Sequence, residues 1–122
     1  MRASLMALGT IIAAATACGE SYGSGPSGSC SPSATQVCLK NTAFNPASLT
    51  VSAGAEVVWV NADGFSHTVT SSSVPATGPT WDHAVAAGAR TSVRFTLAGT
   101  YQYYCKIHGG PGTGMHATVV VQ

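Results

Sequence analysis

Residues 100–121 read TYQYYCKIHGGPGTGMHATVVV. Two runs rich in tyrosine, threonine and valine, residues 100–105 and 115–121, flank a segment of four glycines and one proline. Beta-branched and aromatic runs bounded by glycine and proline read as strands joined by a loop. The same pattern recurs upstream at residues 35–40, 49–52, 55–61, 66–70 and 91–97. In the last of these Val93, Phe95 and Leu97 alternate with Ser92, Arg94 and Thr96, which turns one face inward and the other to water. Val57-Val58-Trp59-Val60 is apolar on both sides, as a central strand requires. Helical periodicity of useful length is absent. Seven to eight short strands over residues 34–122 predict an all-β fold, a two-sheet antiparallel Greek-key β-sandwich. A core of that size is modest, and a covalent clip or a metal ion would help hold it together.

The same stretch carries the chemistry. Cys105 ends one strand, His108 follows three residues later, and Met115 opens the next strand. His67 stands at the start of the strand over residues 66–70. His67, Cys105 and Met115 sit at strand ends joined by loops, with His108 in the loop after Cys105, and one end of a sandwich can gather such positions around a single atom. A thiolate, two imidazoles and a thioether form a donor set suited to one copper ion cycling between Cu(I) and Cu(II), because a weak axial sulfur leaves a geometry that neither state has to abandon. Other readings of these residues are weaker. A closed structural zinc site takes more thiolates at knuckle spacing, and a Cys–His nucleophile needs an exposed base with an orienting partner. An oxidase would need further copper centres, for which His-x-His pairs are the usual supply, and the sequence has none. No enzymatic activity is expected. His83, beside Trp81 and Asp82 in the long connection over residues 71–90, is expected at the surface or the sandwich edge. His116 follows Met115 and should point to the opposite face. Trp59 and Trp81 read as packing residues, and Asn61 as a residue tying a turn near the site.

Several motifs together resemble the cupredoxins, and among them the plastocyanin-like small type 1 (blue) copper proteins of the bacterial exported or lipoprotein type. They are Ala43-Phe44-Asn45-Pro46, Val58-Trp59-Val60-Asn61, His67-Thr68-Val69-Thr70, Gly99-Thr100-Tyr101 with Tyr103-Tyr104-Cys105, His108, and Gly114-Met115 leading into Thr118-Val119-Val120-Val121. The resemblance implies that His67, Cys105 and His108 are equatorial copper ligands and Met115 the axial one. It places His108 at an exposed edge where electrons pass, makes Tyr104 a second exit, and has the Thr68 N–H donating to the Cys105 sulfur. In one respect this chain departs from the pattern: six residues separate His108 from Met115, where plastocyanins typically have four. Met1 and Met6 lie in the N-terminal segment, so Met115 is the only methionine left for the folded part.

That N-terminal segment reads as an address. Arg2, then an apolar run over residues 5–17, then the small residues Ala15-Thr16-Ala17 form a signal peptide over residues 1–17. The run is too short to span a bilayer. Cys18 follows, in a setting that resembles a bacterial lipobox with Ala15 where leucine is usual, and lipidation of Cys18 is expected. Residues 18–33 are rich in serine, glycine and proline and read as a flexible tether, leaving residues 34–122 as the cupredoxin domain. With Cys18 acylated and Cys105 on a metal, Cys30 and Cys38 are free to pair as a disulfide. The alternative is a buried strand residue and a separate loop thiol.

Charged residues make up 7% of the chain and the formal net charge is +1. Beyond the leader, Lys40, Arg90, Arg94 and Lys106 balance Glu20, Glu56, Asp63 and Asp82. A nucleic-acid footprint is excluded, and steering of charged partners should be weak. The expected function is one-electron transfer outside the cytoplasm, by a monomer that meets redox proteins transiently and touches the membrane only through its lipid. Copper storage or delivery is the alternative.

Overall fold

The computed structural model describes residues 29–122. The expected signal peptide, Cys18 and the tether up to residue 28 lie outside the described residues. Nine strands are present among them: β1 (Gln36–Leu39), β2 (Phe44–Asn45), β3 (Ser48–Val51), β4 (Ala55–Asn61), β5 (His67–Ser73), β6 (Asp82–Val85), β7 (Arg90–Phe95), β8 (Gly99–Gly110) and β9 (Thr113–Val121). They form two sheets, one ordered β2-β1-β4-β7 and the other β3-β9-β8-β5-β6. The sandwich is therefore all-β, as its alternating pattern indicates.

Two details differ from the sequence expectation. Both sheets are mixed, because β1 runs parallel to β4 and β3 parallel to β9. Parallel neighbours need a crossover, and the chain supplies one by leaving the first sheet after β2, laying down β3 in the second, and returning as β4. The other difference is the strand count. β2 is two residues long and β6 lies inside the connection over residues 71–90, where Pro75, Gly78 and Pro79 mask the strand signal that follows. β7 also stops at Phe95, and Leu97 is exposed. Its carbonyl accepts the Tyr101 hydroxyl at 2.8 Å, which fixes the turn into β8.

Alternation builds the core. In β4, Val57, Trp59 and Asn61 face inward while Val58 and Val60 are half-buried, consistent with a strand flanked on both sides by β1 and β7. The facing sheet contributes Val69, Tyr101, Tyr103, Cys105, Met115, Ala117, Val119 and Val121. Trp59, Trp81, Phe95, Tyr101 and Tyr103 interlock between the sheets, with centroid separations from 4.8 Å for Phe95–Tyr101 to 6.4 Å for Trp59–Phe95. Edge-to-face pairs of this kind add about 0.5–1.5 kcal/mol each beyond burial.

β1 is secured at both ends. Before it, Cys30 and Cys38 are joined by a disulfide with 5.8 Å between their Cα atoms. The Gln36 side chain donates to the Ser31 carbonyl at 2.9 Å, so residues 30–33 lie against the strand. Closing so short a loop contributes about 2.5 kcal/mol by chain-entropy reckoning. After β1, Lys40 and Ala43 exchange backbone hydrogen bonds around Asn41 and Thr42, whose φ angles are 55° and 59°. Two successive left-handed residues make the turn that suits a hairpin's twist, one that usually carries Asn-Gly. Threonine occupies the glycine position here.

Candidate metal centre

One pole of the sandwich is built by two different kinds of chain. On one side is the connection between β4 and β5. Asn61, fully buried, donates through Nδ2 to the carbonyls of Phe65 (2.8 Å), Val85 (2.9 Å) and Ala86 (3.2 Å), and its Oδ1 accepts the Asp63 N–H at 2.9 Å. These bonds hold residues 61–65 in a compact arch. The arch delivers His67, with no solvent exposure, at the first position of β5. Its Nε2 lies 2.8 Å from Asp63 Oδ2.

On the other side are β8 and β9. Their register pairs Tyr104 with His116 and then Gly109 with Gly114, so the four residues from Cys105 to His108 stand opposite Met115 alone. In a regular strand residues three apart point to opposite faces. The bulge cancels that rule and lets Cys105 and His108 turn the same way. Beyond it the ladder closes again through Gly109 and Gly114. A Cβ at Gly109 would sit 2.8 Å from the Thr113 carbonyl oxygen, and Gly114 has φ +61°, so the backbones approach as only glycine permits. The six residues between His108 and Met115 thereby form a hairpin with Pro111 and Gly112 at its tip.

Three donors meet between the two sides. His67 Nδ1 and His108 Nδ1 are 3.1 Å apart, and Cys105 Sγ lies 3.7 Å and 3.6 Å from them. A point equidistant from all three is about 2 Å from each, close to the bond lengths of about 2.0–2.3 Å that metal ions make to imidazole and thiolate. Cys105 has no exposure and His108 is half-buried. A soft thiolate with two nitrogens, enclosed and already convergent, fits a transition-metal ion. Met115 is 3% exposed and enters β9 opposite the bulge.

The surroundings of the thiolate are ordered. The Thr68 N–H donates to Cys105 Sγ at 3.3 Å. The Lys106 N–H donates to Thr68 Oγ1 (2.8 Å), which lies 3.0 Å from Thr70 Oγ1, which donates to Asp82 Oδ1 at 2.9 Å. The chain of bonds ends on the Lys106 ammonium, 2.6 Å from Asp82 Oδ2. Lys106, followed by the Thr70 hydroxyl, holds the Asp82 carboxyl below the usual range, and Asp82 in turn raises the Lys106 ammonium. At Asp63 burial works to raise the carboxyl. The Thr42 N–H, the His67 ring and the Asn41 N–H outweigh it, leaving the group lowered. Outside, Phe65 (47% exposed) packs its ring 5.1 Å from His67 and 5.4 Å from His108, and Ile107 is 57% exposed.

Residues 33–122 match the family described as copper binding proteins, plastocyanin/azurin family. The chain belongs to that family. Plastocyanin of Scenedesmus fuscus is 38% identical over 86 residues, covering 65% of this chain and 86% of that protein. Chloroplastic plastocyanin of Silene latifolia subsp. alba is 32% identical over 132 residues, covering 98% of this chain and 76% of the relative. With that of Tetradesmus obliquus the match is 37% identical and spans 58% of the relative's length. Among solved structures, an oxidised amicyanin variant superposes with a TM-score of 0.63 at 28% identity, over 73% of this chain and 82% of amicyanin. A copper-containing nitrite reductase of Thermus scotoductus gives 0.64 at 24% identity over 76% of this chain and 23% of the reductase, a likeness of fold alone.

Copper is therefore the metal to which this plastocyanin/azurin-family site is suited. His67, Cys105 and His108 are brought together, and they are the cluster of histidine, cysteine and acidic side chains found among the described residues that could hold a metal ion. His83 lies elsewhere, bonded to Thr91 Oγ1 at 2.6 Å where the edges of the two sheets meet, and His116 is exposed opposite Tyr104. Asp63 is the participant that sequence reasoning missed. The available signal was a carboxylate four residues before a histidine, within a short arch between two strands.

Proposed function

We propose that this protein is a type 1 copper electron carrier, in which His67 Nδ1, Cys105 Sγ and His108 Nδ1 would hold the ion with Met115 as a weaker fourth ligand, the equatorial and axial roles that the family resemblance implies for them. Bound copper supplies a one-electron couple between Cu(I) and Cu(II). The remaining work belongs to the chain. Interlocked bonds around Asn61 and the β8 bulge fix where the donors stand, so electron gain or loss requires little rearrangement. The Thr68 N–H withdraws charge from the sulfur and tunes the potential. His108, half-buried between exposed Phe65 and Ile107, provides the route outward, and the apolar rim suits brief encounters with redox proteins. The observation that carries this reading is the triangle of donors formed by His67 Nδ1, Cys105 Sγ and His108 Nδ1.

We further read the chain as a non-enzymatic monomer, exported, with Cys18 lipidated and the residues between Cys18 and Cys30 as a tether; the sequence expectation runs the tether to residue 33, but the Cys30–Cys38 disulfide and the Gln36 bond to Ser31 fasten residues 30–33 to β1. Storage or delivery of copper is the competing role, and a buried site with a single available methionine suits it poorly. Copper-loaded protein should show an intense visible thiolate-to-copper band, and Cys105→Ser should abolish it. Retention of the band in that variant would refute the assignment. Stopped-flow kinetics separates the roles: rapid self-exchange with copper retained marks a carrier, whereas ready loss to a metal-free acceptor marks delivery. Cys18→Ser should release the protein from membranes.

A further inference from the structure

We propose that Asp63 is a positioning residue for the copper site: it accepts a hydrogen bond from the Nε2–H of His67, leaving Nδ1 a bare donor, and it fastens that ring to the turn after β1. The inference rests on His67 being a ligand. Asp63 is 5% exposed and both of its oxygens are engaged. Oδ1 accepts the Asn41 N–H at 2.7 Å, and Oδ2 accepts the Thr42 N–H at 2.9 Å while facing His67 Nε2 at 2.8 Å. Backbone N–H groups can only donate, so the carboxylate is an acceptor. The ring nitrogen facing the same oxygen must then carry the proton, and a neutral imidazole has only one. Nδ1 is left with its lone pair directed toward Cys105 Sγ and His108 Nδ1.

The turn itself points to the same arrangement. Asn41 and Thr42 both hold left-handed φ angles that are costly for non-glycine residues, threonine above all. The conformation aims two successive N–H groups into one concavity, an anion nest. Asp63 fills it from the arch that carries His67, and Lys40 Nζ adds a bond to the Ala62 carbonyl at 3.3 Å. The β1–β2 hairpin, the carboxylate and the ring thus form one connected support. Asparagine cannot replace Asp63 there, because its amide nitrogen would confront at least one of three donors.

The test uses the full chain labelled with 15N-histidine. In the metal-free protein, long-range 15N–1H correlation spectra should show His67 as the Nε2–H tautomer. In Asp63→Ala the tautomer should become mixed or reversed, and in Asp63→Asn, whose neutral amide can still accept from His67 only by turning its nitrogen against the Asn41 N–H, the Nε2–H form should lose part of its preference. Copper affinity by competition with a chelator should fall about 10–100-fold, and the reduction potential should rise as the ring loses its basic partner. A native protein with Nδ1–H at His67 overturns the proposal. So does a folded variant with the native tautomer and native affinity. If Asp63→Ala does not fold, the isosteric Asp63→Asn and the native spectrum decide. The tautomer is read without copper, so its failure is distinct from absence of the visible band, which would refute the copper reading instead.

Discussion

The two imidazoles that face each other across 3.1 Å are held by opposite strategies. His67 is fully buried, its far nitrogen on a carboxylate and its arch fixed by Asn61. His108 is half-buried, carried on a bulge followed by glycines, with two exposed apolar side chains beside it. One side of the site supplies rigidity and the other supplies access, the two properties that the proposed electron-carrier role requires together.

The contrast can be broken most severely at the histidines. Both His67→Gly and His108→Gly should lose the visible band. Added imidazole should restore it only in His108→Gly, where the vacated position opens to solvent. Absorption titrations with imidazole check this, and equal rescue at both positions would erase the contrast. The next effect should be at Asn61. Asn61→Ala strands several buried polar groups and should cost about 3 kcal/mol, read from denaturant unfolding of the metal-free chain. On the accessible side, Gly109→Ala forces a methyl against the Thr113 carbonyl and should cost about 2 kcal/mol, while perturbing the visible band more than Asn61→Ala does at equal stability. The smallest effect should be a gain. Thr42→Gly keeps the N–H that Asp63 needs and removes left-handed strain, so the unfolding midpoint should rise by the equivalent of about 1 kcal/mol.

Much of this was legible in the sequence because the informative residues act locally. Val93 and Phe95 alternate, Val57 to Val60 are apolar throughout, and the glycines after His108 announce a tight return, so the sandwich and the poles of its strands follow from pattern alone. The donor types were legible for a chemical reason, since few purposes gather one thiolate and two imidazoles, but the strand-end placement expected for Cys105 was not found: β8 runs on to Gly110, and Cys105 and His108 lie within it at a bulge that the glycine-rich sequence disguises as a loop. What escaped depended on distant partners. The parallel pairing of β1 with β4 is set by a crossover through the other sheet, and nothing within Gln36–Leu39 encodes it. β6 is a strand because β5 offers it an edge. Asp63 entered only the balance of acids and bases, because its three donors come from Asn41, Thr42 and His67, two of them more than twenty residues away.

The rejoined ladder beyond the bulge has a mechanical consequence. Because Gly109 and Gly114 lock the strands together before the crown at Pro111 and Gly112, the crown is mechanically insulated from the donors. It can be lengthened, shortened or recoloured with charge while the coordination sphere keeps its shape. The crown is thus the stretch of this pole where residues can be exchanged with least disturbance to the placement of Cys105 and His108.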